Sequence, residues 1–461
     1  MFKKETYIAR RQTLKSKIES GIILILGNEE SSMNYKDNGY HFRQDSSFSY
    51  YFGLNVAGLT GIIDVESGEE FIFGNDFTID DIIWMGVLPT IKELSESVGV
   101  LKTGHIALLN TFIKNAVKFS RKIHYLPPYR PEHHLKIFNW LGIHPLEAEK
   151  NASLELRLAV ISQRNYKTAE EMVEISKGVN ISVDMHVKAM QMVRPGMMEA
   201  EIAGAVEGIA LANDGHVAFP VIATINGQTL HNHHHSNIIK SGDLFLLDAG
   251  AETPMYYAGD LSSTFPVDKK FTSQQKDIYQ LCLNAHNHAI SLLKPGKPFK
   301  EIHLETCKVI ASGMKDLGLM KGNIDEAVAA GVHALFFPCG LGHMMGLDIH
   351  DMEGLGEEYV GYDGELKSTQ FGLKSLRLGR KLEPGFVLTI EPGIYFIPEL
   401  MDKWRSENKF MDFLNYDEIN KFRKFSGCRN EENFLITENG AQLIGKPKPK
   451  SIEDVENTRN S

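Results

Sequence analysis

Residues 242–267 read GDLFLLDAGAETPMYYAGDLSSTFPV, and the way this stretch folds decides how the rest of the chain is read. An apolar run at 244–247 ends abruptly at Asp248, and a second short run with strand propensity at 255–258 leads to Asp260. Between them AGAETP reads as a turn. Folded back as a hairpin, the two runs bring Asp248 and Asp260 side by side. Carboxylates forced together in a dry interior repel, so one takes up a proton or a cation sits between them. The same residues also fit an edge-strand Asp and a turn Asp that both face water. The stretch alone leaves both readings open.

Working outward, the chain carries an internal repeat. VRPGMMEAEI at 193–202 and LKPGKPFKEI at 293–302 lie 100 residues apart. Each follows a long helical segment, 168–193 or 272–293, and each opens a second helix after Pro-Gly. Thr168 with Glu171 three residues on matches a capping box. GDLFLLDAG at 242–250 and GFVLTIEPG at 385–393 share a glycine, an apolar run, an acid and a second glycine at the same spacing. Two matches in the same order predict two related halves of helix, helix and strands on one sheet. Asp248 and Glu391 then hold equivalent positions. The second half carries an insertion at roughly 351–375.

Upstream, residues 1–165 read as a mixed α/β unit, with a boundary near 164–167. A polar helix at 4–20 precedes the buried strand GIILILG at 21–27. The aromatic stretch YHFRQDSSFSYYFGL follows at 40–54, and then a hairpin at 61–74 with its turn at 66–69. IALLN at 106–110 and the Pro-rich segment at 125–134 continue the mixed pattern. Arg43 and Asp45 read as a structural pair, and no convergent polar group here demands chemistry.

With 461 residues, more than one domain is expected. A hydrophobic content of 43% and a charged content of 23% are those of a water-soluble globular protein. The formal charge of −10 argues against nucleic acid as a partner. The charged first twenty residues lack the apolar core of a signal peptide, and 21–27 is too short to span a bilayer, so no membrane association is expected. Cys282, Cys307, Cys339 and Cys428 are spread without a CxxC pair, which fits a reducing, cytoplasmic setting.

The chemistry gathers in the second part of the chain. A further acid, Glu431, precedes the apolar run 434–436. A histidine-rich segment sits in each half: LHNHHHSN at 230–237, and CGLGHMMGLDIHD at 339–351 with His343 and His350. His233, His234 and His235 read first as a polar loop, with adventitious metal binding as the alternative. Four carboxylates and one histidine suffice to hold two divalent cations bridged by carboxylates and a water. Oxygen-rich donors with a single imidazole suit Mn²⁺, Co²⁺, Fe²⁺ or Zn²⁺ and are poor for copper. Such a pair makes hydroxide available near neutral pH and polarises a carbonyl, which describes hydrolysis of an amide.

DAG…AGDLSSTFPV, GLGHMMGLDIHD, LEPGFVLTIEPGIYF and GCRNEENFLIT resemble the signatures of the pita-bread metallopeptidases. More narrowly, the chain resembles the proline-specific branch, aminopeptidase P and prolidase; residues 40–54 are similar to a motif of that branch's N-terminal domain. The resemblance covers essentially the whole chain. It implies an α/β (α+β) protein: an aminopeptidase-P-type domain at 1–165, then a pseudo-twofold catalytic domain at 166–461 with a curved, mostly antiparallel sheet. It implies a dinuclear site of Asp248, Asp260, His343, Glu391 and Glu431, with Asp260 and Glu431 bridging and Mn²⁺ favoured over Co²⁺ or Zn²⁺. Glu391 matches the general base. His231 matches a pocket histidine, and His350 one that contacts the scissile peptide and helps stabilise the tetrahedral intermediate. Arg429 matches an arginine that orients the site. FGLKSLRLGRKLEPG at 371–385 is similar to a prolidase segment, in which Arg377 would bind the carboxylate of a short substrate; a surface arginine in a basic insertion is the competing reading. The sequence departs from the pattern at Cys339, where many relatives have histidine, at Asn430, and by one extra residue between Asp248 and Asp260.

The expected activity is hydrolysis of the Xaa–Pro bond at the N-terminal end of short proline-containing peptides or dipeptides, by a homodimer or homotetramer. The alternatives are a non-catalytic peptide-binding protein on the same fold, which would usually have lost ligands, and a creatinase-like C–N hydrolase, which does not use the metals.

Overall fold

In the computed structural model, which describes residues 1–461, strand Leu244–Asp248 pairs antiparallel with Ser262–Pro266, and Asp248 lies opposite Ser262. The hairpin therefore forms, but with its second strand after Asp260. Residues 255–258, expected as that strand, form a tight loop in which only Ala258 bridges back to Glu252. The cause is local. Pro254 cannot donate a ladder hydrogen bond, and Tyr256 turns the backbone left-handed at φ 66°, its N–H donating to the Thr253 carbonyl at 2.7 Å.

This loop is held by close backbone approach. A Cβ on Gly250 would lie 1.9 Å from the Gly259 carbonyl oxygen, and a Cβ on Gly259 would lie 2.6 Å from the Val179 backbone. Val179 belongs to helix Ala169–Met192, which starts with the Thr168–Glu171 capping box read from the sequence. The helix thus presses on the residue just before Asp260.

The repeat is visible in the backbone. Gly196 and Gly296 both turn left-handed, at φ 92° and 80°, and open helices Glu199–Ala212 and Phe299–Asp316. The Gly196 N–H donates to the Ile239 carbonyl, and the Gly296 N–H to that of Leu382, its counterpart in the second half. In that half, Val387–Ile390 pairs antiparallel with Glu432–Thr437, as Leu244–Asp248 does with Ser262–Pro266 in the first. The two returning strands meet: the Glu431 N–H donates to the Ser262 carbonyl, and the Asn433 amide donates to the Asp260 carbonyl. The mostly antiparallel sheet is present as four small antiparallel sheets, two of three strands and two of two.

The chain divides into one unit of Met1–Arg164 with Gly354–Gly356, and another of Asn165–Glu353 with Glu357–Ser461. The first holds a five-stranded mixed sheet in the order Lys102–His105, Glu70–Gly74, Thr60–Asp64, Ile22–Leu26, Ile123–Tyr125. Ile22, Leu24, Ile62, Leu109, Ile113 and Tyr125 share its core. Residues 106–110 open the helix Ile106–Lys118 instead of extending a strand. The His105 ring accepts from the Ala107 N–H, and Leu109, Ile113 and Ala116 bury one helical face. Buried Arg11 ties three elements together, donating to Glu70 and to the Tyr51 and Val98 carbonyls. At the hairpin turn, Arg121 grips both Asp64 oxygens at 2.6 and 2.7 Å.

Two outcomes are expected. Gly259→Ala should lower stability by about 1–3 kcal/mol through overpacking, read as a lower urea midpoint; an unchanged midpoint would show that the helix has room to move. Separately, the Arg121 fork holds Asp64 at about 2, below the unfolded carboxylate value. The charged form therefore stabilises the fold above pH ~4, and this contribution is lost as pH falls toward ~2. Asp64→Asn should cost about 1–2 kcal/mol at neutral pH, and the midpoints of variant and wild type should converge below pH ~4.

Candidate metal centre

The strand ends deliver the acids. Asp248 closes Leu244–Asp248, and Asp260 stands just ahead of Ser262–Pro266. Glu391 follows Val387–Ile390, and Glu431 precedes Glu432–Thr437. His343 is clipped to the second half's strand: the Thr389 N–H donates to its carbonyl at 3.0 Å, and the Thr389 hydroxyl accepts from its N–H at 3.1 Å. All five residues line one cleft of about 670 Å³, as do His231, His350, Arg377 and Arg429. Every residue selected from the sequence for chemistry therefore reaches the same cleft.

Asp248, Asp260, His343 and Glu431 are buried. One ligand atom each from Asp260, His343 and Glu431 lies within 4.8 Å of the other two. His343 Nε2 is 3.4 Å from Asp260 Oδ2 and 3.5 Å from Glu391 Oε1. Its Nδ1 sits 3.1 Å from the Met344 carbonyl, which fixes the tautomer that leaves Nε2 facing the acids. Burial disfavours its charged form, but the Asp260 hydrogen bond and the Glu391 charge outweigh this, and the imidazole is raised.

The carboxylates oppose one another. Burial first, with Asp260 adding to it against the pull of Arg429 and His343, pushes Asp248 up to about 6. Burial pushes Glu391 to about 7, with His343 and Arg429 resisting. Glu431 rises further, from burial and from Asp260, Glu391 and Asp248. Its Oε1 is buried without a hydrogen-bond partner.

Arg429 partly offsets this charge. From Gly427–Arg429, its guanidinium reaches Ser262 Oγ at 2.8 Å, Tyr395 Oη at 2.8 Å and Asp248 Oδ2. Ser262 Oγ in turn donates to Glu431 Oε2 at 2.8 Å. One serine thus fixes both the arginine and an acid. Neither Ser262 nor Tyr395 was selected from the sequence, although Ser262 lies two residues past Asp260 and Tyr395 two past the EPG motif.

The other side of the cleft comes from the insertion. The His350 ring lies 4.4 Å from that of His343, centre to centre, and its Nδ1 meets Glu353 at 2.5 Å. Burial, then His343, Arg377 and His231, hold His350 down at about 2, so its ring is neutral. Arg377 Nε stands 3.4 Å from both Glu353 and Glu357. Glu353 and Glu357 were also missed; only their place three and seven residues after His350 hints at them. Lys367 and Lys374 add cations to the lining. His231 is exposed at the mouth, with its imidazole lowered by partial desolvation and by Arg429 and Arg377. The His233–His235 run does not converge: His233 faces the cleft, His234 is exposed, and His235 bonds the Val221 carbonyl. Burial, then the Glu391 charge, push the Cys339 thiol up to about 12, so it stays protonated.

An oxygen-rich set with one imidazole, mutually repelling acids and a buried carboxylate oxygen without a partner fits a divalent cation.

Comparisons with known proteins agree with this chemistry. Residues 174–438 match the model of metallopeptidase family M24, and residues 7–125 match that of the aminopeptidase P N-terminal domain. The human Xaa-Pro dipeptidase is 30% identical over 455 residues, covering 95% of this chain and 89% of that protein. The Xaa-Pro aminopeptidase of Haemophilus influenzae is 30% identical over 468 residues, covering 99% and 97%. Among solved structures, proline aminopeptidase P II from Yersinia pestis superposes with a TM-score of 0.83 at 27% identity, covering all of both chains. Aminopeptidase PepP of Pseudomonas aeruginosa gives 0.82 at 25%, covering 100% and 98%. With its mixed N-terminal domain and its pita-bread domain of paired halves, this chain belongs to metallopeptidase family M24.

Proposed function

We propose that this metallopeptidase hydrolyses the Xaa–Pro bond at the N-terminal end of short peptides, dipeptides included. The observation that carries the reading is the convergence of Asp248, Asp260, His343, Glu391 and Glu431 on one cleft, with Glu431 Oε1 buried and unpartnered. The similarity to both an Xaa-Pro dipeptidase and Xaa-Pro aminopeptidases supports the substrate class. Residues 1–165 serve as the aminopeptidase-P-type domain and 166–461 as the catalytic domain.

In this reading Asp248, Asp260, His343, Glu391 and Glu431 would hold two divalent ions, Mn²⁺ being favoured. Bound there, the ions supply Lewis acidity that makes water a nucleophile near neutral pH and polarises the peptide carbonyl. Glu391, open to the cleft on one side, takes the proton of the attacking water and returns it to the departing proline nitrogen. Arg429 acts as a positioning residue through Asp248 and, by way of Ser262, Glu431. His231 lines the entry. The neutral His350 ring presents Nε2 to the substrate while Nδ1 engages Glu353.

The cations of the insertion side favour a substrate carboxylate close to the scissile bond. Arg377 is held by two acids, which fixes its guanidinium but also neutralises part of its charge. Dipeptides are therefore favoured only modestly over longer peptides. The family resemblance adds homodimers or homotetramers, and the four free cysteines fit a cytoplasmic location.

Glu391→Ala in metal-replete protein should abolish Xaa–Pro turnover; robust hydrolysis by that variant would sink the mechanism. Asp260→Asn should lose more bound metal than His231→Ala, which should keep metal and lose activity, as read by elemental analysis beside a peptide assay. Arg377→Ala should slow Gly-Pro more than Gly-Pro-Pro, by roughly tenfold if one charge-assisted pair is lost. Equal effects on both peptides would remove Arg377 from carboxylate recognition.

A further inference from the structure

We infer that His303, Cys307 and His333 form a second, buried metal site, apart from the carboxylate centre, for a soft monovalent cation such as Cu⁺. His303 and Cys307 lie four residues apart on helix Phe299–Asp316, and so share one face. His333 comes from the short turn Val332–Leu335 packed against that helix. One ligand atom from each residue lies within 4.8 Å of the other two. The three residues are 0%, 0% and 1% exposed.

Two observations point to a ligand. Cys307 Sγ stands 3.5 Å from His303 Nε2, close to the ~3.5 Å that separates a sulfur and a nitrogen bound to one metal, given bonds of ~2.3 and ~2.0 Å. In addition, His303 Nδ1 and both ring nitrogens of His333 are buried with no hydrogen-bond partner. The Val328 backbone lies near enough to favour the charged His333 ring slightly, but makes no hydrogen bond of ordinary geometry. An imidazole with both nitrogens unsatisfied in a dry interior is uncommon in folded proteins. Metal coordination would satisfy it.

Charge selects the ion. Burial pushes His303 down to about 3 and His333 to about 4, so both rings are neutral with a lone pair to give. Burial also pushes the Cys307 thiol up, with Cys339 adding to it, and His333 acts on His303; no carboxylate, lysine or arginine acts on any of the three. Binding exchanges one proton for one metal: the Cys307 S–H bond breaks, the proton leaves to solvent and a sulfur–metal bond forms. With a monovalent ion the pocket stays neutral. Zn²⁺ would leave one uncompensated positive charge there, which is costly to bury. A thiolate with imidazoles is also the soft donor set that Cu⁺ prefers. The oxygen-rich centre in the cleft is the opposite kind of site, so the two would sort cations by hardness.

The test uses the full-length, metal-free protein under anaerobic conditions, titrated with Cu⁺ held by bicinchoninate, and with Ag⁺ as a redox-silent second probe. One equivalent should be withdrawn from the chelator. X-ray absorption on the copper-loaded wild type should give one sulfur and two nitrogens, a readout that needs no variant to fold. Cys307→Ala should weaken uptake by more than about 100-fold. Cys282→Ala should leave it unchanged, as should filling the carboxylate centre with Mn²⁺. No uptake, full uptake by Cys307→Ala, a shell with no sulfur or with two, or displacement of Cu⁺ by equimolar Zn²⁺ would each overturn the inference.

Discussion

The burial of carboxylates that also repel one another governs this structure. Two like charges about 4 Å apart repel by about 4 kcal/mol at an effective dielectric near 20, and here four acids share one cleft. The protein relieves only part of this. Arg429 contributes one cation, bound to Asp248, and Ser262 offers one hydrogen bond to Glu431. Burial first, and one another's charge after it, keep Asp248, Glu391 and Glu431 shifted toward their neutral forms. That residual strain is the driving force for taking up cations, and a site fully satisfied by arginines would have none.

Maintaining such an arrangement requires a rigid frame, which the duplicated halves supply. Each half ends a strand in an acid and returns a second strand antiparallel to it. The returning strands meet at Ser262 and Glu431, so acids from both halves face one another across a short distance. Helix Ala169–Met192 presses on Gly259 at backbone contact, which leaves Asp260 little freedom to retreat from the others. Ordering these groups during folding lowers the later cost of assembling the centre.

The insertion after His350 serves a different purpose. It brings Glu353, Glu357, Lys367, Lys374 and Arg377 to the edge of the cleft as a mixed charge cluster. The metal-side residues come from strand ends and Gly-rich turns, whereas Glu353, Glu357 and Lys374 come from short helical turns and Lys367 and Arg377 from the loops beside them. A rigid half of the site suits bond cleavage and a loop-borne half suits recognition of the substrate's far end, since loops vary without disturbing the frame.

The amino-acid sequence by itself determined the repeat, the capping box at Thr168, the α/β class and the four acids beside their apolar runs, while the choice of His343 within its Gly-rich turn came from the family resemblance. These are written in spacing along the chain: Pro-Gly breaks, apolar runs ended by acids, and glycines where the backbone turns. Spacing misled at 255–258, where short apolar residues look like a strand but Pro254 and the left-handed Tyr256 make a loop. It was also silent on Ser262, Tyr395, Glu353 and Glu357, because a hydroxyl or a lone acid carries no local signature of its partner. Only the tertiary structure brought His303 and Cys307 against His333, and Arg429 against Asp248, 181 residues away in the chain. Periodicity reports which face of an element is buried; what meets that face is decided when distant segments pack together.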